Sequence, residues 1–155
     1  MSTIQVRLAN LSDRTSLAGL FHALWPDGPI EEHAHELEAI LSEKPSGTLP
    51  LVVFVAETSG QSLLGFIEVG LRSHADHCDP ALPVGYVEGW YVVEGQRRRG
   101  IGKRLLAAAE DWAQRQGCVE MASDTQIGNE LSLRVHESLG FRVVERAILF
   151  HKSLR

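Results

Sequence analysis

A run of basic residues and glycines separates two segments of different periodicity in the middle of the sequence. The loop reads Gln96-Arg97-Arg98-Arg99-Gly100-Ile101-Gly102-Lys103. The segment 86–93 before it alternates as a β-strand does, and apolar side chains recur at helical spacing over 101–112 after it. A helix start offers unpaired N–H groups and the positive end of the helix dipole, and glycines let a ligand approach the backbone. The loop therefore predicts a phosphate-binding site, the alternative being a basic helix start without a ligand.

Two common phosphate-binding loops do not fit this sequence. A P-loop has lysine after its second glycine, whereas Ile101 follows Gly100 here. A dinucleotide-binding fold has Gly-x-Gly-x-x-Gly near the start of a βαβ unit, and the glycine spacing here differs.

Two carboxylates and one tryptophan are candidate residues of a binding or catalytic site. Glu88 is a charge in the middle of an otherwise apolar strand, which points either to function or to a salt bridge. Asp124 follows the next predicted strand, at the end where open sheets place ligands, although a turn or helix cap would also explain it. Trp25, beside a proline, is either a stacking platform or a loop anchor.

The elements that must position these residues follow the order β-α-α-β-β-β-α-β-α-β. Predicted strands cover 4–9, 51–56, 63–71, 86–93 and 118–123, with one or two more at 141–144 and 147–150. Predicted helices lie between Asn10 and Trp25, over about 30–42, from Ile101 to Gly117, and over about 128–139. A turn-rich linker covers 44–50. This order predicts an α/β fold in one domain, residues 1–155.

Composition narrows the class of protein. The chain has 155 residues, a net charge of −5 and no apolar run long enough for a membrane span or signal segment, so we expect a cytoplasmic globular protein. Its two cysteines, Cys78 and Cys118, lack metal or redox spacing and are expected to be reduced thiols. The acidic balance argues against nucleic acid as the partner. The histidines of the polar loop 72–83, and His33 and His35, are expected at the surface rather than at a metal.

The pattern Arg97-x-x-Gly100-x-Gly102 after a valine-rich strand resembles the coenzyme A pyrophosphate loop of the GNAT N-acetyltransferases. The element order and the pair Gly140-Phe141 are similar to the same superfamily. Further segments resemble its aminoglycoside 6′-N-acetyltransferases over nearly the whole chain: Leu24-Trp25-Pro26, Val87-Glu88-Gly89, 121–125 and 135–141. The resemblance implies a GNAT fold, a mixed sheet flanked by about four helices and splayed at the central strand.

The resemblance also implies residue roles. It implies acetyl-CoA as cosubstrate, held by Trp90, Tyr91, Val92, Arg97, Arg98, Arg99, Gly100, Ile101, Gly102, Lys103 and Asn129. It implies an aminoglycoside substrate bound by Trp25, Glu88, Asp124 and Glu145, with Glu88 or Asp124 as general base and acetyl transfer directly within a ternary complex. His136 stands where many family members have a tyrosine acid. Relatives of this branch are often dimers, which the apolar segment 147–150 would suit.

Two other functions remain open at this stage. The first alternative to an aminoglycoside acetyltransferase is a GNAT enzyme that acts on another amine, such as a polyamine, peptide or protein. The second is a non-catalytic coenzyme A-binding module. The acidic face of the second helix and the candidate carboxylates favour a compact polycation over an extended peptide.

Overall fold

The computed structural model describes residues 3–42, 49–60 and 62–155, so most of the linker expected at 44–50 lies outside the described residues. Its centre is a five-stranded sheet in the order β1-β2-β3-β4-β5. The strands are β1 (Ile4–Leu8), β2 (Leu51–Thr58), β3 (Leu63–Arg72), β4 (Val84–Val92) and β5 (Met121–Ser123). The first four strands pair antiparallel, and β5 pairs parallel to β4. The predicted mixed sheet is thereby confirmed.

Four α-helices accompany the sheet in the described part of the chain. They are α1 (Arg14–Leu24), α2 (Ile30–Leu41), α3 (Ile101–Arg115) and α4 (Glu130–Ser138). Asn10 and Asp13 form a capping box on the 3-10 turn Leu11–Asp13, which leads directly into α1. Asn129 caps the start of α4, and Gly117, at φ +92°, follows α3. No helix in the described residues is long and apolar enough to cross a membrane.

The chain divides into two compact units, Met1–Ser123 and Asp124–Arg155. In the first unit, α1 and α2 cover one face of the sheet with a core of Leu17, Phe21, Leu37, Val53, Val55 and Phe66. The apolar stripe of α3, which includes Ile101, Leu105 and Ala109, is also buried. Phe66 and Glu68, two positions apart on β3, share the face that α1 and α2 cover.

The central strand β4 has a β-bulge at Glu88, one of the candidate site residues. Glu68 of β3 lies opposite Gly89, and Val69 lies opposite Val87, so Glu88 is an extra residue without a partner across the pair. Such a bulge bends a strand and redirects a side chain. On its other side, the pairing of β4 with β5 ends at Val87. The remainder of β4 extends past β5, in agreement with the splay at the central strand that the family resemblance implies.

The second unit contains α4 and the chain end. Gly140, at φ +99°, follows α4 as predicted. The strands expected at 141–144 and 147–150 are wrong for this chain, because residues 141–155 form neither helix nor strand. A β-strand forms only when a neighbouring strand accepts and donates its backbone hydrogen bonds. The β-branched and apolar residues of this segment favour a strand but do not supply that neighbour. Ile148, Leu149 and Phe150 are exposed by 76%, 93% and 92%.

Candidate active site

The basic loop forms the start of α3. Gly100 adopts φ +76°, a left-handed conformation that disfavours other residues, and no side chain hydrogen-bonds to the helix start from the described residues. The first intrahelical bond runs from the Arg104 N–H to the Gly100 carbonyl at 3.1 Å, so the N–H groups of 101–103 precede the helical ladder. A Cβ at Gly100 would meet nothing within 4 Å. The backbone there is open to an anion, as the sequence predicts.

Two residues of the predicted coenzyme A site hold the loop in place. The Nε of Arg97 donates to the Val92 carbonyl at 2.9 Å, and its guanidinium lies 5.6 Å from the ring centre of Tyr91. The indole of Trp90 packs against Gly102, where an added Cβ would lie 3.6 Å from its Nε1. Arg97 and Trp90 therefore fix the helix start relative to β4.

The splayed half of β4 carries the other residues expected to hold the coenzyme A arm. Trp90, Tyr91 and Val92 all lie beyond the last β5 pairing at Val87. Their β3 side is occupied by the register Ile67, Phe66 and Gly65. The opposite edge of β4 in this region has no described strand beside it, which is the arrangement that an added strand-like ligand requires.

Glu88 forms an ion pair with an arginine that the sequence reading did not assign. Nε and Nη2 of Arg72 each donate at 2.9 Å, one to each carboxylate oxygen of Glu88. The same guanidinium stacks on the Tyr86 ring at 3.4 Å from its centre. Glu88 is the bulge residue of β4, and it directly follows Val87, where the pairing with β5 ends. Arg72 therefore holds the Glu88 side chain at the start of the splayed half of β4. The salt-bridge reading of Glu88 is thus correct, and it leaves a functional role possible.

Glu68 is the site residue that sequence reasoning missed. It is 8% exposed and lines a cavity of about 600 Å³ together with Glu88. Burial, and then the charges of Glu88 and Glu36, raise the pKa of Glu68 to about 7. A lone acid within the apolar strand 63–71 was the same signal that singled out Glu88.

Trp25 is both an anchor and part of this side of the site. It caps the end of α1, its ring meets Phe21 edge-on with centroids 5.3 Å apart, and its carbonyl accepts from His33 Nε2 at 3.0 Å. The ring also packs against Gly89, next to Glu88. The structure therefore places Trp25 against the backbone position that follows Glu88 on β4. His33 is buried against α1 and not at the surface as expected, because its ring packs with this aromatic cluster.

The remaining predicted residues belong to the second unit. Asp124 directly follows β5 in sequence, and Glu145 lies in the irregular chain end; both are exposed. Asn129 caps α4, its side-chain oxygen accepting from the Ser132 N–H at 3.1 Å. His136 Nδ1 lies 2.7 Å from the Ser132 carbonyl, which can only accept, so Nδ1 carries a proton and exchange with a reacting group would go through Nε2.

The polar loop 72–83 is partly packed. Most of its residues are exposed, but Ala75 is buried with Val84 and Tyr86. His74 is exposed, and its Nε2 lies 3.4 Å from Asp76. Within the described ranges no group of three or more histidine, cysteine, aspartate or glutamate residues is arranged to hold a metal.

A splayed mixed sheet, with a basic and uncapped helix start after its central strand, is typical of a class of acyl-CoA-dependent transferases. The model of the acetyltransferase (GNAT) family matches residues 17–141, and the chain belongs to this family.

Individual relatives have a more particular activity. An aminoglycoside N(6')-acetyltransferase type 1 from Klebsiella aerogenes is 40% identical over 149 residues, covering 96% of each chain. The solved aminoglycoside N-acetyltransferase AAC(6')-Iy in complex with CoA matches with a TM-score of 0.88 and 35% identity, over 98% of this chain and 96% of that one. The same enzyme with the bisubstrate analogue CoA-S-monomethyl-acetylneamine matches with a TM-score of 0.86 and 34% identity, over 98% and 99%.

Proposed function

We propose that the protein, as one domain over 1–155, transfers the acetyl group of acetyl-CoA to the 6′-amino group of an aminoglycoside. The observation that carries this proposal is the cavity lined by Glu68 and Glu88 beside the splayed half of β4. A site with carboxylates next to an acyl donor is suited to a polycationic amine. The names of the relatives, which match over nearly the whole chain, support the same substrate class.

The residues at the start of α3 fit the pyrophosphate of acetyl-CoA. The open N–H groups of 101–103, the left-handed Gly100 and the exposed side chains of Arg98, Arg99 and Lys103 offer donors and positive charge at one place. Acetyl-CoA supplies an activated acyl thioester when bound. We assign Trp90 and Arg97 to positioning this phosphate cradle, the start of α3 with residues 98–103. The Val92 N–H is assigned to polarising the carbonyl of the acyl group.

The substrate ammonium must lose a proton before its nitrogen attacks. Glu88 accepts that proton, directly or through a water, while Arg72 holds its carboxylate in position. Trp25 stacks on a sugar ring beside it, and Asp124 and Glu145 bind further ammonium groups. His136 Nε2 is assigned to protonating the departing thiolate, and Asn129 to the coenzyme A arm.

Transfer proceeds directly from the thioester to the amine, without an acetylated enzyme. The pKa of Cys78 is raised by burial and by Glu120, and burial raises that of Cys118. A thiol is a poor nucleophile when it stays protonated, so neither cysteine suits a covalent route. Incubation with acetyl-CoA alone is expected to leave the protein mass unchanged, and an added acetyl group on either cysteine would contradict direct transfer.

We further propose a cytoplasmic homodimer. The segment 141–155 exposes Ile148, Leu149 and Phe150 and pairs with no strand, and a second copy of the chain would supply both a hydrogen-bonded neighbour and apolar cover. Light scattering after size exclusion tests this proposal. Truncation after Arg146 should convert the dimer to a monomer, whereas a monomeric full-length protein would contradict it.

The deciding experiment is thiol release from acetyl-CoA with two matched substrates. Neamine carries a 6′-amino group and paromamine a 6′-hydroxyl in its place. Turnover of neamine alone is the expected result. No turnover of either, with acetyl-CoA still bound, would move the function to another amine; spermine and a lysine-containing peptide are the next acceptors to assay. If no amine is acetylated, a coenzyme A-binding module remains.

A further inference from the structure

The carboxyl group of Glu68 has no described partner. No hydrogen bond or ion pair from residues 3–42, 49–60 or 62–155 reaches it, although the residue is more than nine-tenths buried. Its neighbours across the sheet, Gly89 on β4 and Val53 on β2, offer no side chain that could pair with it. Buried carboxyl groups are normally hydrogen-bonded or paired, so this arrangement requires an explanation.

The cavity that Glu68 lines together with Glu88 explains this arrangement, because a ligand there could reach the carboxyl group. Its volume of about 600 Å³ lies within the range of small-ligand sites. Its polar members are Glu68 and Glu88, and Leu49, Pro50, Leu51 and Leu71 supply an apolar wall. An amino sugar, with apolar ring faces and ammonium substituents, has the complementary character.

The two carboxyl groups of the cavity differ in their charge balance. Both oxygens of Glu88 accept from Arg72 at 2.9 Å, whereas Glu68 has no cation beside it among the described residues. The titratable and charged groups on the elements around it are Glu36 and His33 on α2, His22 on α1, Arg72 on β3 and Glu88 on β4. Burial and the two neighbouring acids raise the pKa of Glu68 to about 7, so the carboxyl group is partly protonated at neutral pH.

We propose that Glu68 binds an ammonium group of the substrate as a carboxylate and gives up its proton as the substrate enters. The bound ammonium is the counterion that the described residues do not supply. The proton passes to the solvent, and Glu68 is a specificity residue that favours cationic over neutral sugars. This inference rests on the proposed polycationic substrate.

Calorimetric titration of the CoA-bound enzyme with neamine tests the proposal. The heat of binding at pH 7, measured in two buffers of different ionisation enthalpy, gives the number of protons exchanged. We expect wild type to release about half a proton more than Glu68→Gln, and this difference to vanish near pH 9 where Glu68 is already ionised. Glu68→Gln should bind neamine roughly tenfold or more weakly, because a charge-assisted contact is lost.

Control measurements separate this inference from the proposed function. Glu110→Gln, which removes an exposed acid from α3, should match wild type in both affinity and proton release. If wild type acetylates neamine while Glu68→Gln keeps wild-type affinity and proton release, the inference is wrong and the function stands. If wild type acetylates no aminoglycoside, the function itself fails.

A measurement on wild type alone covers the case in which the variant does not fold. The infrared difference spectrum on adding neamine to the CoA-bound enzyme at pH 6 should lose a protonated carboxyl band. An unchanged carboxyl region would overturn the proposal.

Discussion

The backbone of Gly89 lies directly against the indole ring of Trp25. A Cβ at this position would overlap the end of the ring, lie 2.7 Å from Cζ2 and come within 3.4 Å of Phe66. Glycine is therefore required at the site by the close approach of an aromatic ring, and not by its backbone angles. The contact fixes Trp25 against β4 beside the bulge, and it links the core on α1 to that strand.

Gly89→Ala should displace Trp25. We expect a loss of about 1–3 kcal/mol in the free energy of unfolding from overpacking, and a higher KM for the aminoglycoside because the ring moves. Urea titration and steady-state kinetics measure both effects. Gly19→Ala is the control, because Gly19 is exposed in α1 with nothing within 4 Å and should instead stabilise by about 0.5–1 kcal/mol. A Gly89→Ala enzyme with wild-type stability would show that the contact is dispensable.

Gly100→Ala should weaken acetyl-CoA binding specifically. Alanine at φ +76° costs about 1–2 kcal/mol in backbone strain and places a methyl group at the anion cradle. Gly117→Ala carries the same backbone penalty at φ +92°, again with nothing within 4 Å, but at the other end of α3. We expect KM for acetyl-CoA to rise roughly tenfold in the first variant and to stay unchanged in the second. Equal effects on KM would place the pyrophosphate elsewhere.

Arg72→Gln should lower kcat/KM for the aminoglycoside. It removes the two donors that hold the Glu88 carboxylate, so the group assigned to accept the substrate proton is no longer held in place. We expect a loss of roughly tenfold to a hundredfold in steady-state kinetics, because misplacing a reacting group is costly. Arg115→Gln, which breaks an exposed pair with Asp111, is the control and should leave kcat/KM unchanged. A wild-type kcat/KM in Arg72→Gln would separate the ion pair from proton transfer.

Glu68→Gln should stabilise the fold, and only above acidic pH. The folded protein holds a proton on Glu68 up to about pH 7, compared with an ordinary value of 4.5, so ionisation opposes folding as pH rises through this window. The gain should be absent near pH 4 and reach at most about 3 kcal/mol near pH 9. Urea titrations of both proteins at several pH values measure it. A gain that is independent of pH would contradict burial of a titrating carboxyl group.

Asp13→Asn should have the opposite pH dependence. Arg7 donates to both oxygens of this buried carboxylate at 2.8 and 2.9 Å and lowers its pKa below 3.8, with the Asn10 N–H adding to the effect. We expect a loss of about 3 kcal/mol at pH 7, because one partner of a buried pair is removed. The loss should shrink as pH falls below about 4, because the unfolded wild type then binds a proton before the folded protein does, and this weakens the contribution of the pair. Asp111→Asn, at an exposed pair, should cost less than about 0.5 kcal/mol.

Short-range patterns in the sequence were sufficient to identify several features. Alternation predicted the strands through β5, and helical spacing with capping residues predicted α1 to α4. The glycines and basic residues of 97–103 predicted the position of the start of α3. Glu88 could be selected because a charge inside an apolar strand is rare. Each of these signals depends on residues a few positions apart, so the sequence carries it directly.

The partners of the site residues were decided by the tertiary structure alone. The Arg72–Glu88 pair depends on the register of β3 and β4, and the burial of Glu68 depends on what α2 and the sheet place around it. The strands expected at 141–150 show the same limit, because their pattern is strand-like and pairing needs a neighbour that the pattern does not specify. The sequence alone thus determined the strands β1 to β5, the four helices and the basic, glycine-containing start of α3. Tertiary structure decided that Glu88 has a cation beside it and that Glu68 has none among the described residues, because the charge balance of a buried group is set by residues distant in the chain.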